Sequence, residues 1–274
     1  MQNIIDYFST IPSSHRALIL AGGITFFWIL ESFRPFRNFK YNKWHHAWIN
    51  IFFTLTTIIV NFLLAIILLK AAQWTINNNF GILQWLPKMN IWVYAIIGLL
   101  LLDFIGAYLV HLIEHKVKFL WRFHLIHHTD TWIDTTTANR HHPGESVLRF
   151  IFTTFGVLIV GSPMWMVFLY QSLSVLATQF NHANIVLPKK VDKVLSYIIV
   201  SPDMHKVHHH YMLPHTDSNY GNIFSIWDRI FGTFSSLDRN NLVYGVDTHM
   251  KEEENNRLKN LLMIPFQKYR SSNN

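Results

Sequence analysis

The sequence predicts an all-α integral membrane protein with about four transmembrane helices or hairpins and a helical cap on the cytoplasmic side. Three observations carry that prediction. Half of the 274 residues are apolar and only 14% are charged, against about 25% in an ordinary soluble domain. Long runs free of Asp, Glu, Lys and Arg recur along the chain. Outside those runs, histidines recur at i, i+3 and i+4, the spacing of one helix face. The mean hydropathy is only +0.18, so a polar portion must accompany the membrane base.

Taken in order, the first uncharged run is Ala17 to Leu30, extendable to Phe33 if Glu31 is tolerated near an interface. Trp44 to Leu69 is long enough to span a hydrocarbon core of about 30 Å. Met89 to Leu102 continues through Asp103 towards His111 with helical character. Phe150 to Phe180 is interrupted by Gly161-Ser162-Pro163, because proline ends or kinks a helix. It reads as a tight hairpin or a kinked pair. The plan that follows is N-terminal transmembrane helices over 1–94, a histidine-bearing region over 95–235 and a polar C-terminal tail over 236–274, surface-bound and frayed at its end.

Orientation follows from the basic residues of the short loops. The 34–43 loop carries Arg34, Arg37, Lys40 and Lys43, whereas the 71–88 loop carries only Lys88. That places 34–43 in the cytoplasm. The third span then returns there near His111, and a there-and-back passage over 150–180 brings His182 to the same face. Every dense histidine cluster lands on one side of the membrane.

Composition excludes several classes. With no cysteine there are no disulfides, thiol nucleophiles, cysteine-ligated iron–sulfur clusters or cysteine zinc sites. The net charge of +7 comes without a basic stripe or nucleic-acid motif, so it reads as topology and lipid headgroup contact. The first residues lack the basic start and short apolar core of a signal peptide.

Thirteen of the seventeen histidines fall between 111 and 215. His111 and His115 in HLIEH are spaced i, i+4. His124, His127 and His128 in HLIHH are spaced i, i+3, i+4, and His205, His208 and His209 in HKVHH repeat that spacing. Each set aims its imidazoles at one point. Neutral imidazole is the commonest histidine metal ligand and suits iron, copper, zinc and nickel. One zinc takes about four ligands, so eight or more gathered histidines imply two metals. The pattern alone does not choose the element. His15, His45, His46, His215 and His249 have no ligand spacing and read as surface or core residues. Asp103, Asp130, Asp134, Glu145, Asp203 and Asp217 flank the boxes and are candidates to accept the outer N–H of a metal-bound ring. Each serves equally well as a cap or ion pair.

HLIEH, LWRFHLIHHTD, TTTANRHHPGE, FNHAN, SPDMHKVHHH and SNYGNIFSIWDRIFGTF, in this order, resemble the fatty acid hydroxylase/sterol desaturase superfamily, nearest its bacterial sterol-desaturase-like branch. The resemblance covers about 95–235. It implies a membrane-embedded helical fold whose cytoplasmic cap holds a histidine-rich dinuclear site. It further implies two iron ions (Fe2+/Fe3+), with zinc able to replace them in purified protein, and O2 as co-substrate for attack on an unactivated C–H bond. By position it assigns metal-binding and catalytic roles to His111 and His115, to His124, His127 and His128, to His142 of the RxHP element, to His182 of the NHxN element, and to His205, His208 and His209. His141 is then an extra histidine, and His210 lies off the shared face. Leu112 departs from the arginine that many relatives carry after the first histidine.

The expected activity is hydroxylation or desaturation of a lipid, sterol-like or fatty acyl, entering laterally from the bilayer. The chain shows no electron source of its own, so an external donor is expected, a ferredoxin or a cytochrome b5-type protein with its reductase. No nucleic-acid partner is expected. Two other readings stand beside this one. A metal transporter or sensor would place ionisable residues within the spans, and an inactive lipid-binding scaffold would have lost one or two of the box histidines.

Overall fold

A computed structural model of the chain describes residues 1–272. The short amphipathic α1 (Gln2–Ser9) leads into α2 (Ser13–Phe33) and α3 (Lys43–Asn77), followed by a single turn, α4 (Ile82–Trp85). A long helix then runs over Ile91–Lys116. It comprises α5 (Ile91–Asp103), a π-helical turn (Phe104–Tyr108) and α6 (Leu109–Lys116). Next come α7 (Lys118–His128), α8 (Pro143–Val160), α9 (Met164–His182), α10 (Lys189–Leu195), α11 (Pro202–His208), α12 (Ile226–Ile230), α13 (Glu252–Asn255) and α14 (Leu258–Met263). Among the described residues the only β pairing is three isolated bridges.

Four helices are long and apolar enough to cross a membrane: Ser13–Phe33, Lys43–Trp85 with its short break, Ile91–Lys116 and Pro143–Val160. Their outward sides are greasy. On α3, Leu55, Ile59, Phe62, Leu63 and Ile66 are all exposed, a stripe that water would penalise and lipid would not. The remaining long helix, α9, carries Gln171, Ser172, Ser174, Thr178 and Gln179. It packs inside, against α1, α2 and α5.

The interruption at 161–163 is a sharp turn. Gly161 adopts φ 69°, and a Cβ there would lie 2.5 Å from the Phe80 carbonyl oxygen and 2.9 Å from Gly81 Cα. Only glycine permits both the left-handed conformation and that approach. The chain therefore leaves along α8 and returns along α9. Glu145, in the first turn of α8, hydrogen-bonds His124, and His182, at the end of α9, meets His127. Both helices thus have one end at the histidines.

The other helices deliver their ends to the same place. Glu31, near the end of α2, is buried and accepts from the Thr135 and Asn184 backbone N–H groups at 2.7 and 2.8 Å. His46, at the start of α3, bridges Asp130 and Asp134. The π turn precedes the first box by one turn, and Asp103 sits at its start. The Asp103 carboxylate accepts from Ile223 N, Phe224 N, Trp227 Nε1 and Tyr170 OH, docking the 220–227 segment on the helix that carries His111. Phe231 stacks on Phe104 with centroids 5.3 Å apart, so the aromatic run after 226 is packing.

The C-terminal segment departs from expectation. Leu261 and Ile264 are buried in one cluster with Ile49, Phe53, Leu125, Ile126 and Val246. The 258–266 stretch is a support beneath α7: Leu258, Leu261, Leu262 and Ile264 pack inward, while Met263 and Phe266 stay exposed.

Candidate metal centre

Two groups of imidazoles form at the convergence. His111, His115, His124, His128 and His208 compose the first, and His127, His182, His205 and His209 the second. Within each group the ligand nitrogens lie within 4.8 Å of one another, and all nine residues are buried. The boxes share their histidines between the groups. On α7, His124 and His128 (i, i+4) face one group while His127 faces the other. On α11, His205 goes to the second group and His208 to the first, and His209, the residue that caps the helix, goes to the second.

Outer partners fix the protons on many of these rings. His111 Nδ1 donates to Tyr220 O at 2.9 Å, His208 Nδ1 to Ser218 O at 2.6 Å and His182 Nδ1 to Thr178 O at 2.7 Å. A carbonyl can only accept, so each Nδ1 carries the hydrogen and each neutral Nε2 presents a lone pair. Carboxylates do the same for His115 (Asp217, 3.2 Å) and His124 (Glu145, 2.8 Å). The lone pairs then point at each other. His111 Nε2 and His124 Nε2 are 3.1 Å apart. His182 Nε2 faces the Nε2 atoms of His127, His205 and His209 at 3.0, 3.0 and 3.2 Å. One acceptor cannot serve three donors. A cation among them would satisfy every one of these nitrogens at once. Burial, then neighbouring imidazoles, holds His127, His128, His205, His208 and His209 well below the ordinary histidine pKa, which keeps the rings neutral as metal ligation requires. The all-nitrogen donor set suits iron, zinc, copper or nickel.

His142 is not brought to either group. Pro143 occupies the first position of α8, so His142 is the N-cap, and its Nδ1 accepts from Gly144 N at 3.0 Å. A histidine spent on capping turns its ring towards the first helical turn, here against Phe123. The sequence reading therefore departs from the structure at this residue. The neighbouring His141 is the one that faces inward. Its ring stacks on His127 with centroids 4.8 Å apart, and its Nδ1 lies 2.9 Å from Glu145 Oε1. His210 also lies outside both groups; its Nδ1 accepts from Val243 N. Replacing His142 by alanine is expected to leave the metal content unchanged. It costs the stability of a lost cap, about 0.5–2 kcal/mol. Metal analysis beside thermal unfolding separates the two, and a fall of one metal per chain would restore His142 to the ligands.

The flanking acids divide by role. Asp217 and Glu145 accept from site imidazoles. Glu145 Oε1 also accepts from Arg149 Nε at 2.9 Å, and Arg149 Nη2 reaches the buried Glu114 at 2.5 Å. Asp130 and Asp134 hold His46 instead, and Asp203 pairs with Arg239. What the sequence could not offer were the backbone acceptors at Thr178, Ser218 and Tyr220, since every residue carries a carbonyl. Arg140, 1% exposed, was likewise unsignalled; only its place in the RxHP element marked it.

Membrane-length helices meeting at two buried all-imidazole clusters define a histidine-box membrane protein. A profile of the fatty acid hydroxylase family matches residues 95–233, and the chain belongs to that family. It is 24% identical to the ornithine lipid hydroxylase OlsE of Rhizobium tropici over 163 residues, 60% of this chain and 47% of that protein. It is 33% identical to alkylglycerol monooxygenase of Homo sapiens over 162 residues, 58% of this chain and 33% of that protein. It is 24% identical to the cholesterol 25-hydroxylase-like protein 1, member 2, of Danio rerio over 179 residues, 65% of this chain and 63% of that protein. The chain thus spans less than two thirds of the length of each. No solved structure is significantly similar to it.

Proposed function

We propose that the chain is a membrane-bound di-iron oxygenase that hydroxylates or desaturates a lipid C–H bond. The observation that carries this reading is the pair of buried clusters in which ring nitrogens converge: His111 Nε2 against His124 Nε2, with both Nδ1 protons engaged elsewhere, and His182 Nε2, a single acceptor, against three other rings. The proposed ligands are His111, His115, His124, His128 and His208 for one iron and His127, His182, His205 and His209 for the other. Two irons there would supply the electron transfer that reduces O2 and breaks the C–H bond. Hydroxylation inserts one oxygen atom and releases the other as water, consuming two electrons and two protons. Desaturation takes two hydrogens from the lipid and, with the same electrons and protons, releases two waters.

The chain's own residues position and exclude. Tyr220, Ser218, Thr178, Asp217 and Glu145 orient the rings, and the burial of all nine keeps bulk water from the clusters, a condition for such chemistry. The relatives' lipid substrates and the greasy outer faces support a lipid from the bilayer. An external ferredoxin or cytochrome b5-type donor with its reductase would deliver the electrons. The basic 34–43 loop supports placing the site on the cytoplasmic side, with the catalytic region over 95–235 following the N-terminal spans of 1–94.

The test is metal analysis of full-length protein purified in detergent from iron-supplemented cells, followed by reconstitution with bacterial lipids, a donor system and isotopically labelled O2. About two irons per chain and a lipid that gains one labelled oxygen, or loses two hydrogens, is the expected result. Two zincs would support the dinuclear site and call for iron reloading. A folded chain without stoichiometric metal would sink the proposal.

A further inference from the structure

The two clusters differ in how their rings are held. In the first group, four of five imidazoles have Nδ1 fixed by a protein acceptor: His111, His115, His124 and His208. Two of those acceptors are carboxylates. In the second group only His182 is fixed, by a carbonyl of its own helix. The Nδ1 atoms of His127, His205 and His209 are buried with no hydrogen-bond partner among the described residues.

Three of the four anchors in the first group come from one short segment. Asp217 takes His115, Ser218 O takes His208 and Tyr220 O takes His111. The segment is itself clamped. Asn219, at its centre, adopts φ 53°, the left-handed region that asparagine enters more readily than other non-glycine residues. Its amide donates to Met204 O and Ser235 O, each at 2.8 Å, and accepts from Ser235 N at 2.9 Å. Asp228 accepts from Tyr220 N and Gly221 N. The result is a rigid strap with three acceptors aimed at three rings.

A metal leaves a polyimidazole site as rings swing off it one after another. A ring held at its far nitrogen cannot swing, and a carboxylate partner makes it a better donor. Resting on the two-metal proposal above, we infer that the clusters hold their metals unequally. The five-histidine group retains its metal, the four-histidine group exchanges it, and the Asp217–Tyr220 strap is the cause of the difference. Asp217 is the positioning residue that can be tested. Its side chain is 28% exposed and also pairs with Lys116, so its loss opens no core cavity.

The experiment follows release of iron from the two-iron, full-length protein into excess chelator, without turnover. Wild type is expected to release one metal quickly and one slowly. His209→Ala should delete the fast phase and keep the slow one. Asp217→Ala should accelerate the slow phase by about 10–100-fold, the usual effect of losing an outer partner, and leave the fast phase alone. Asp217→Asn, which keeps an acceptor oxygen, should fall between, and it decides alone if the alanine variant does not fold. Release of both metals in one phase would overturn the inference, as would a slow phase untouched by Asp217 substitution or equal acceleration of both phases. A folded wild-type chain that never binds two metals would instead sink the parent proposal.

Discussion

The double substitution His127→Ala/His208→Ala is expected to empty both metal positions and abolish lipid oxidation, with the chain still inserted in the membrane. One residue belongs to each cluster, so each is left with one donor fewer, four in the first group and three in the second. The loss should exceed the roughly 10–100-fold cost of removing an outer partner, because a ligand itself is gone from each group. The single variants separate the two positions. His208→Ala removes a ring anchored on Ser218 O from the five-histidine group. His127→Ala takes one of the three rings that face His182. Elemental analysis of each purified variant, beside product formation from the same lipid extract, is the measurement. Retention of two metals by the folded double variant would mean that the ligands lie elsewhere.

Much of the arrangement was legible because it rests on periodicity. The i, i+3, i+4 spacing marked the histidines that gather, and Gly161-Ser162-Pro163 marked the turn that brings α9 back to the histidine end of α8; the expectation that each box aims at one point is corrected, because α7 and α11 each divide their histidines between the two groups. The charge pattern suggested that the clusters meet, and the helices do bring them together. What periodicity cannot show is contact between distant segments. HHPGE offers two adjacent histidines, and the choice between them depends on which one caps α8. The proline at the first helical position makes His142 the cap and turns His141 inward. Glu114 lies off the His111–His115 face, as its spacing requires. That places it opposite Arg149 and 3.8 Å from His124 Nδ1, a neighbourhood no local pattern contains. His46 read as an ordinary histidine, and its burial between two aspartates depends on α3 meeting the loop 84 and 88 residues away. The apolar residues of 258–266 stand in plain view in the sequence, but nothing local says that they cover α7.

The second large effect is expected at Arg140, which touches no ligand ring in either cluster. Its guanidinium is buried and donates to Ile126 O (3.1 Å), Asn50 Oδ1 (3.2 Å), Thr129 Oγ1 (3.3 Å) and Asn255 O (2.6 Å). Asp130 lies 3.9 Å away. Burial alone would raise the Asp130 pKa, but His46 and then Arg140 outweigh it and hold the carboxyl well below its usual range. One side chain therefore ties α3, the end of α7, the loop after the second box and the C-terminal segment. Arg140→Met keeps the bulk and removes every donor. It takes the guanidinium donors from the buried Asn255 carbonyl and the Asn50 amide oxygen, while Ile126 O keeps Thr129 Oγ1, and it leaves Asp130 with His46 as its single cationic partner. Breaking a buried ion pair from one side costs about 3–5 kcal/mol. Because His46 remains, the lower end is expected, about 3 kcal/mol. Arg140→Lys should recover little, since an ammonium cannot reproduce the planar fork that reaches four acceptors at once. The readout is thermal unfolding in detergent with and without bound metal. If Arg140 acts through the scaffold, metal raises the unfolding temperature of the variant by ligand linkage, and the folded fraction binds two metals as wild type does. A variant that unfolds like wild type but lacks metal would give Arg140 a direct part in the site.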